Sequence, residues 1–182
     1  MEQTAKVSGR VRKMAMAALF AALTGILSQI SIPLPGMVPL SLATLAVYLA
    51  AIVLDWKEAL LSQAVYLLLG AVGVPVFSGF GTLSRLTGPT GGYLAGYAAC
   101  ALAAGLILRA AGRRPLWCVL ALAAGTAACY LLGTVWYVAV TGNPWGASLA
   151  ACVLPFLPGD AVKIAAAVLA GTRIRKAVFR RS

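Results

Sequence analysis

The sequence predicts an all-α integral membrane protein, a six-transmembrane-helix bundle with a broken sixth helix and N-in/C-in topology. Three observations carry this reading. Hydrophobic residues make up 62% of the 182-residue chain, charged residues only 10%, and the mean hydropathy is +0.93. The apolar residues form continuous runs, not the alternating pattern of a membrane β-barrel. Lys and Arg collect at the ends of those runs, where topology signals lie.

Taken in order, a basic, polar leader covers residues 1–13 and holds Lys6, Arg10, Arg12 and Lys13. The first apolar run extends from Met14 to about Ile32. It has no small-residue cleavage site followed by a polar mature chain, so it reads as a retained span rather than a signal peptide. Ile32-Pro33-Leu34-Pro35-Gly36 closes it as an extended turn. The second run, about Met37–Leu54, stops at Asp55-Trp56-Lys57-Glu58, and the third covers Ala59 to about Val74. An irregular glycine-rich stretch, residues 75–92, follows. The fourth run is Gly91–Leu108, closed by Arg109, Gly112, Arg113, Arg114 and Pro115. The fifth, Leu116–Val140, ends at Thr141-Gly142-Asn143-Pro144, and the sixth is Ala147–Gly171 with a basic tail, residues 172–182. With six spans and the N-terminus inside, all fifteen Lys and Arg except Arg85 and Lys163 fall on the inner side. Five spans, or a re-entrant sixth, would scatter them. One membrane domain over residues 1–182 is expected, with the 75–92 loop outside and both basic ends in the cytoplasm.

The net charge of +11 does not indicate nucleic acid, because the cations flank apolar runs and suit anionic membrane lipid instead. The four cysteines, Cys100, Cys118, Cys129 and Cys152, lie in or beside apolar runs without C-x-x-C spacing. They read as buried inert thiols, with neither a disulfide framework nor a metal site expected.

Asp160 is the only acid inside an apolar run, and Lys163 the only base. A charge at bilayer depth costs roughly 2.5–3.5 kcal/mol on insertion scales and persists where it faces protein or water. Pro155, Pro158 and Gly159 just upstream break the helix. The expected arrangement is a break at Pro155–Gly159, Asp160 as N-cap of a half-helix reaching about Gly171, and Lys163 on the same face. A pair buried for stability alone gains little over apolar packing, so its cost argues for a ligand.

Residues 70–96 hold eight of the chain's 19 glycines, a density that permits positive φ and close backbone approach. The turn Gly88-Pro89-Thr90-Gly91-Gly92 would present free N–H groups at the start of the fourth helix, with Tyr93 as an aromatic wall. It is not a phosphate loop, since Gly79-Phe80-Gly81 lacks a third glycine and no G-K-[ST] follows. Ser28, Thr44, Thr126 and Thr134 are expected to bond back to their own helices. Ala17/Ala21 and Ala18/Ala22 form small-xxx-small pairs that suit close helix approach.

Three segments together, Gly73-Val74-Pro75-Val76-Phe77, Gly88-Pro89-Thr90-Gly91-Gly92-Tyr93-Leu94 and Pro155-Phe156-x-Pro158-Gly159-Asp160-x-x-Lys163, closely resemble the BioY family. These are the biotin-specific S components of energy-coupling factor (ECF) vitamin transporters. The resemblance covers the whole chain. It implies capture of biotin from outside by a multi-pass protein of the prokaryotic plasma membrane, with Asp160 and Lys163 in the pocket. It also implies an Ala-x-x-x-Ala docking surface for a transmembrane coupling subunit driven by two ATPase subunits, so that ATP is used by partner chains and no cofactor is held here. Ala17/Ala21 and Ala18/Ala22 both match that surface.

The chemistry agrees. Biotin's ureido ring offers one carbonyl acceptor and two N–H donors, which suit an ammonium and a carboxylate held side by side. Phe77, Tyr93 and Phe156 would wall its sulfur ring and chain, and the Gly88–Gly92 turn would meet its carboxylate. The ureido pose is favoured over the reverse, with the biotin carboxylate on Lys163. The alternatives are another vitamin or small solute on the same architecture and, remotely, an intramembrane enzyme. Without histidine a Ser-His site is impossible. A membrane aspartyl site needs two carboxylates, and Asp55 is expected far from Asp160.

Overall fold

The computed structural model describes residues 2–32 and 38–179, with side chains from residue 9 onward. The order of elements is α1 (Glu2–Gln29), β1 (Ser31–Ile32), β2 (Leu40–Ser41), α2 (Ala43–Val53), α3 (Trp56–Ala71), α4 (Leu83–Thr87), α5 (Gly91–Ala111), α6 (Pro115–Thr141), α7 (Trp145–Cys152) and α8 (Leu157–Phe179).

α2 is the centre of the molecule. Ala43, Ala46, Val47, Ala50, Ala51, Ile52 and Val53 are wholly buried, and Tyr48 nearly so. A helix apolar on all sides is stable only when neighbours enclose it, and α1, α3, α5, α6 and α8 pack around this one. Its end is buried too, so its last carbonyls need donors. Arg113, from the α5–α6 loop, donates to the carbonyls of Ala51, Ile52 and Leu54, and Arg175 of α8 donates to Val53. Each such acceptor left unpaired would cost about 1–3 kcal/mol. Both guanidiniums also reach Asp55, at 3.5 and 3.2 Å, and Lys13 lies 3.6 Å from the same carboxylate. The leader, the α2–α3 turn, the α5–α6 loop and the end of α8 therefore meet at one end of the bundle.

α5 and α6 lie backbone against backbone. A Cβ on Gly96 would come within 2.7 Å of Cys129 Sγ, and one on Gly125 within 2.8 Å of the Cys100 carbonyl. Small residues supply this contact because apolar burial drives no association between helices in lipid. The four cysteines are buried and none forms a disulfide, and Cys100 and Cys129 serve here as small packing groups.

The structure matches some expectations in part and corrects others. Among the described residues three helices are long and apolar enough to cross a membrane, within Gly9–Gln29, Gly91–Ala111 and Pro115–Thr141. The bent pair α7–α8 makes a fourth if counted as one span. The second and third runs give helices of 11 and 16 residues, about 16 and 24 Å long at ~1.5 Å per residue, short of a ~30 Å hydrocarbon core. The start of the second run is instead an antiparallel ribbon, with Ser31 opposite Ser41 and Ile32 opposite Leu40. Much of the expected extended turn, residues 33–36, lies outside the described residues. The basic leader and tail are helical over the described residues: α1 begins at Glu2 and α8 continues to Phe179, and no proline interrupts either. The 75–92 stretch contains the short helix α4, and a tight Phe77–Gly81 bridge is closed by Gly79 and Phe80, both at positive φ. Phe80 holds that conformation with its N–H donated to Gln29 Oε1 at 2.9 Å.

Candidate functional site

The sixth run is broken, with α7 and α8 inclined by 47°, but the break lies at residues 153–156, earlier than expected. Pro155 sits in the turn. Pro158 falls in the first helical turn, where its missing N–H is no loss. Asp160 is consequently not the N-cap: its own N–H already donates to the Phe156 carbonyl at 2.8 Å. Its carboxylate is turned toward neighbouring elements instead of its own helix end.

Lys163, one turn on, donates to Asp160 Oδ1 at 2.9 Å, to the Ser41 carbonyl at 2.7 Å and to Thr44 Oγ1 at 3.0 Å. Thr44 Oγ1 donates to Asp160 Oδ1 at 3.2 Å, and Tyr130 Oη of α6 donates to Oδ2. Asp160 and Lys163 are 4% and 7% exposed. The pair on α8 thus draws its partners from β2, α2 and α6. A buried ion pair survives when further hydrogen bonds satisfy its remaining lone pairs and protons, and this one is so satisfied.

The pair faces a cavity of about 40 Å³ walled by Val38, Pro39, Tyr93, Tyr97, Tyr130 and Phe156, among others. A second cavity of about 30 Å³ shares Val38, Pro39, Tyr93 and Tyr97 and continues to Phe77, Ser78, Arg85 and Thr90. Each has room for little more than a water molecule. Together they form a line from the buried ion pair to the glycine-rich loop.

Of the residues singled out in the sequence, Asp160, Lys163, Tyr93, Phe156, Phe77 and Thr90 all line one or both cavities. Tyr93 Oη bonds Thr134 Oγ1 at 3.1 Å, and Thr90 Oγ1 donates to the Arg85 carbonyl at 2.8 Å. Phe77 stands edge-on to Tyr66, with centroids 5.2 Å apart. Gly88, Gly91 and Gly92 are not among the residues that line either cavity. The Gly88 carbonyl accepts from Trp136 Nε1 at 2.9 Å. A Cβ on Gly91 would stand 1.9 Å from the Leu86 carbonyl oxygen, and one on Gly92 2.2 Å from Trp136 Cβ. The chain's own packing therefore already requires glycine at both positions.

Sequence reasoning missed Tyr130, Tyr97, Arg85 and the Ser41 carbonyl. It also assigned Thr44 to its own helix, whereas Thr44 bonds Asp160 and Lys163. Thr126 does bond back, to the Leu122 carbonyl, and also bonds Tyr48 Oη. Arg85 carried a legible signal as the lone base in the 75–92 stretch. A tyrosine in the middle of an apolar run carried none.

The sequence profile of the BioY family matches residues 1–180. The chain belongs to the BioY family. Among BioY relatives, a probable biotin transporter BioY of Pyrococcus horikoshii is 37% identical over 91% of this chain and 98% of its own length. The biotin transporter BioY of Thermotoga maritima is 36% identical over 91% and 97%. A crystal structure described as the S-component for biotin from an ECF-type ABC transporter matches with a TM-score of 0.85, covering 93% of each chain at 24% identity. That likeness establishes the fold. BioY proteins are transporters rather than enzymes, and the intramembrane-enzyme alternative falls away. The several apolar helices make this BioY chain a multi-pass membrane protein.

Proposed function

We propose that this chain is the biotin-binding membrane subunit of an ATP-driven uptake system. The observation that carries the reading is the buried Asp160–Lys163 pair, cross-linked to Thr44, Ser41 and Tyr130 and facing an aromatic-walled cavity. The ureido ring takes its place against this pair once the walls part to admit it, the two closed cavities being too small for the vitamin. Its carbonyl accepts from the ammonium, and its N–H groups donate to the carboxylate. Tyr93, Phe156 and Phe77 wall the sulfur ring and chain, which run toward Thr90 and the Gly88–Gly92 turn. The names of the relatives support biotin over another vitamin. The test is equilibrium dialysis of the purified chain with labelled biotin against a panel of other vitamins. Biotin alone should be retained; equal retention of another vitamin would refute the assignment.

The same reading gives six crossings with both termini inside, in the prokaryotic plasma membrane. The gathering of Lys13, Asp55, Arg113 and Arg175 at one end supports it. On α1, Ala17 and Ala21 are buried within the chain, whereas Ala18 and Ala22 are exposed. Ala18/Ala22 is therefore the docking stripe for an ECF transmembrane coupling subunit. Two ATPase subunits acting through that subunit consume the ATP, and this chain holds no cofactor.

A further inference from the structure

A roomier space lies away from Asp160. It is a cavity of about 650 Å³ at the basic end, lined by Ile52, Arg113, Thr172, Arg175, Lys176 and Phe179. Its charge is unbalanced. Two guanidiniums and an ammonium face it, and the carboxylate that the two guanidiniums share, Asp55, is already 3.6 Å from Lys13. Glu58 is taken up by Lys13 at 3.3 Å, and Lys176 is exposed and makes no ion pair among the described residues. The Arg113 guanidinium is pushed down to about 10, first by burial and then by the positive charge of Arg175, against the pull of Asp55. An added anion would relieve that crowding.

What lies beside the cavity says which anion. Val162, Ala165, Leu169, Thr172 and Lys176 follow one another at three- and four-residue spacing, so they share one stripe of α8. Val162 and Leu169 are 70% and 65% exposed, and Ala165 is exposed between them. The stripe is apolar with a shallow dip at alanine, and it ends at the basic cavity. From Val162 to Lys176 it measures about 21 Å, enough to follow an acyl chain through one leaflet of a ~30 Å core. We propose that this cavity binds the phosphate headgroup of an anionic phospholipid, with Lys176, Arg175 and Arg113 around the phosphate and an acyl chain along Val162–Leu169. Basic pockets at helix ends take such headgroups. The proposal is independent of the vitamin assignment.

Arg113 and Arg175 also hold α2, so the test rests on Lys176. The full chain in detergent would be titrated with phosphatidylglycerol and with phosphatidylcholine, and bound lipid counted by native mass spectrometry. Phosphatidylglycerol should be retained preferentially. Lys176→Glu should weaken it about fivefold or more, the scale of one interfacial cation, while Lys57→Glu, at the same end but outside this cavity, should not. Lys176→Gln serves in its place if the reversal lowers the melting temperature. Inorganic phosphate at millimolar concentration should not displace the lipid. Equal retention of both lipids, equal effects of the Lys57 and Lys176 changes, or displacement by phosphate alone would each overturn the proposal.

Discussion

Lys163 Nζ lies 2.9 Å from Asp160 Oδ1, one turn away on α8, with both side chains more than nine-tenths buried. Asp160→Asn keeps the shape but removes the charge that holds this ammonium. The chain should fold and express, yet biotin affinity should fall by about 2–5 kcal/mol, as for a buried charge stripped of its partner. Equilibrium binding of labelled biotin decides it, and wild-type affinity in this variant would remove Asp160 from the site.

Tyr130 is the residue sequence reasoning had no means of finding, and it donates to Asp160 Oδ2. Tyr130→Phe deletes one charge-assisted hydrogen bond and little volume. An affinity loss of about 1.5–3 kcal/mol is expected, with a lowered melting temperature, because Oδ2 loses a partner in the empty chain as well. A variant that melts early but binds normally once folded would make Tyr130 a packing residue.

Gly91→Val and Gly92→Val place side chains against the Leu86 carbonyl and Trp136. Both should lower the melting temperature and, through it, binding, whereas Thr82→Val in the same loop should be mild. Fluorescence-detected melting without ligand separates the two explanations. If the valine variants are as stable as the parent yet fail to bind, the glycines serve the ligand directly.

The two alanine pairs of α1 should behave oppositely. Leucine at Ala18 and Ala22 adds bulk to an exposed stripe, so biotin binding should persist while energised uptake, with coupling subunits co-expressed, is lost. Leucine at Ala17 and Ala21 enters the packed interior, where Ala21 clusters with Tyr66, Phe77 and Leu94. Overpacking of this kind costs typically about 1–3 kcal/mol, so expression and binding should both suffer. Intact uptake in the Ala18/Ala22 variant, at equal expression, would rule out that stripe as the docking face.

Asp55 provides a pH signature. Burial raises its carboxyl, but Arg175, Lys13 and Arg113 outweigh that and hold it below the usual range. With a folded-state value below the unfolded ~3.9, its contribution is complete above that value and disappears as pH falls through the folded one. The side chain is 48% exposed, so screening limits the effect to about 1 kcal/mol or less. Melting temperatures should be level between pH 7 and 5 and decline below ~4, and Asp55→Asn should flatten part of that decline.

Much of this was legible because the relevant signals are local. Asp160 and Lys163 stand out as charges in an apolar run, and three residues of helix suffice to place them together. The break before them follows from Pro155 and Pro158, but its position does not, since proline is equally at home in a turn and in a first helical turn. Thr44, Ser41 and Tyr130 reach the pair from 116, 122 and 30 residues away, and nothing in their own neighbourhoods marks them. Apolar length counts six runs, while the helices α2 and α3 within them are only 11 and 16 residues long. α2 is enclosed by its neighbours.

That enclosure gives α2 a mechanical character. At one end Ser41 and Thr44 hold the ammonium of Lys163; at the other, the carbonyls of Ala51 to Leu54 are gripped by Arg113 and Arg175. The rod between them is only about 16 Å long and has no exposed side to bend toward. It has the build of a strut, tying the Asp160–Lys163 pair at one end to the arginine grip at the other.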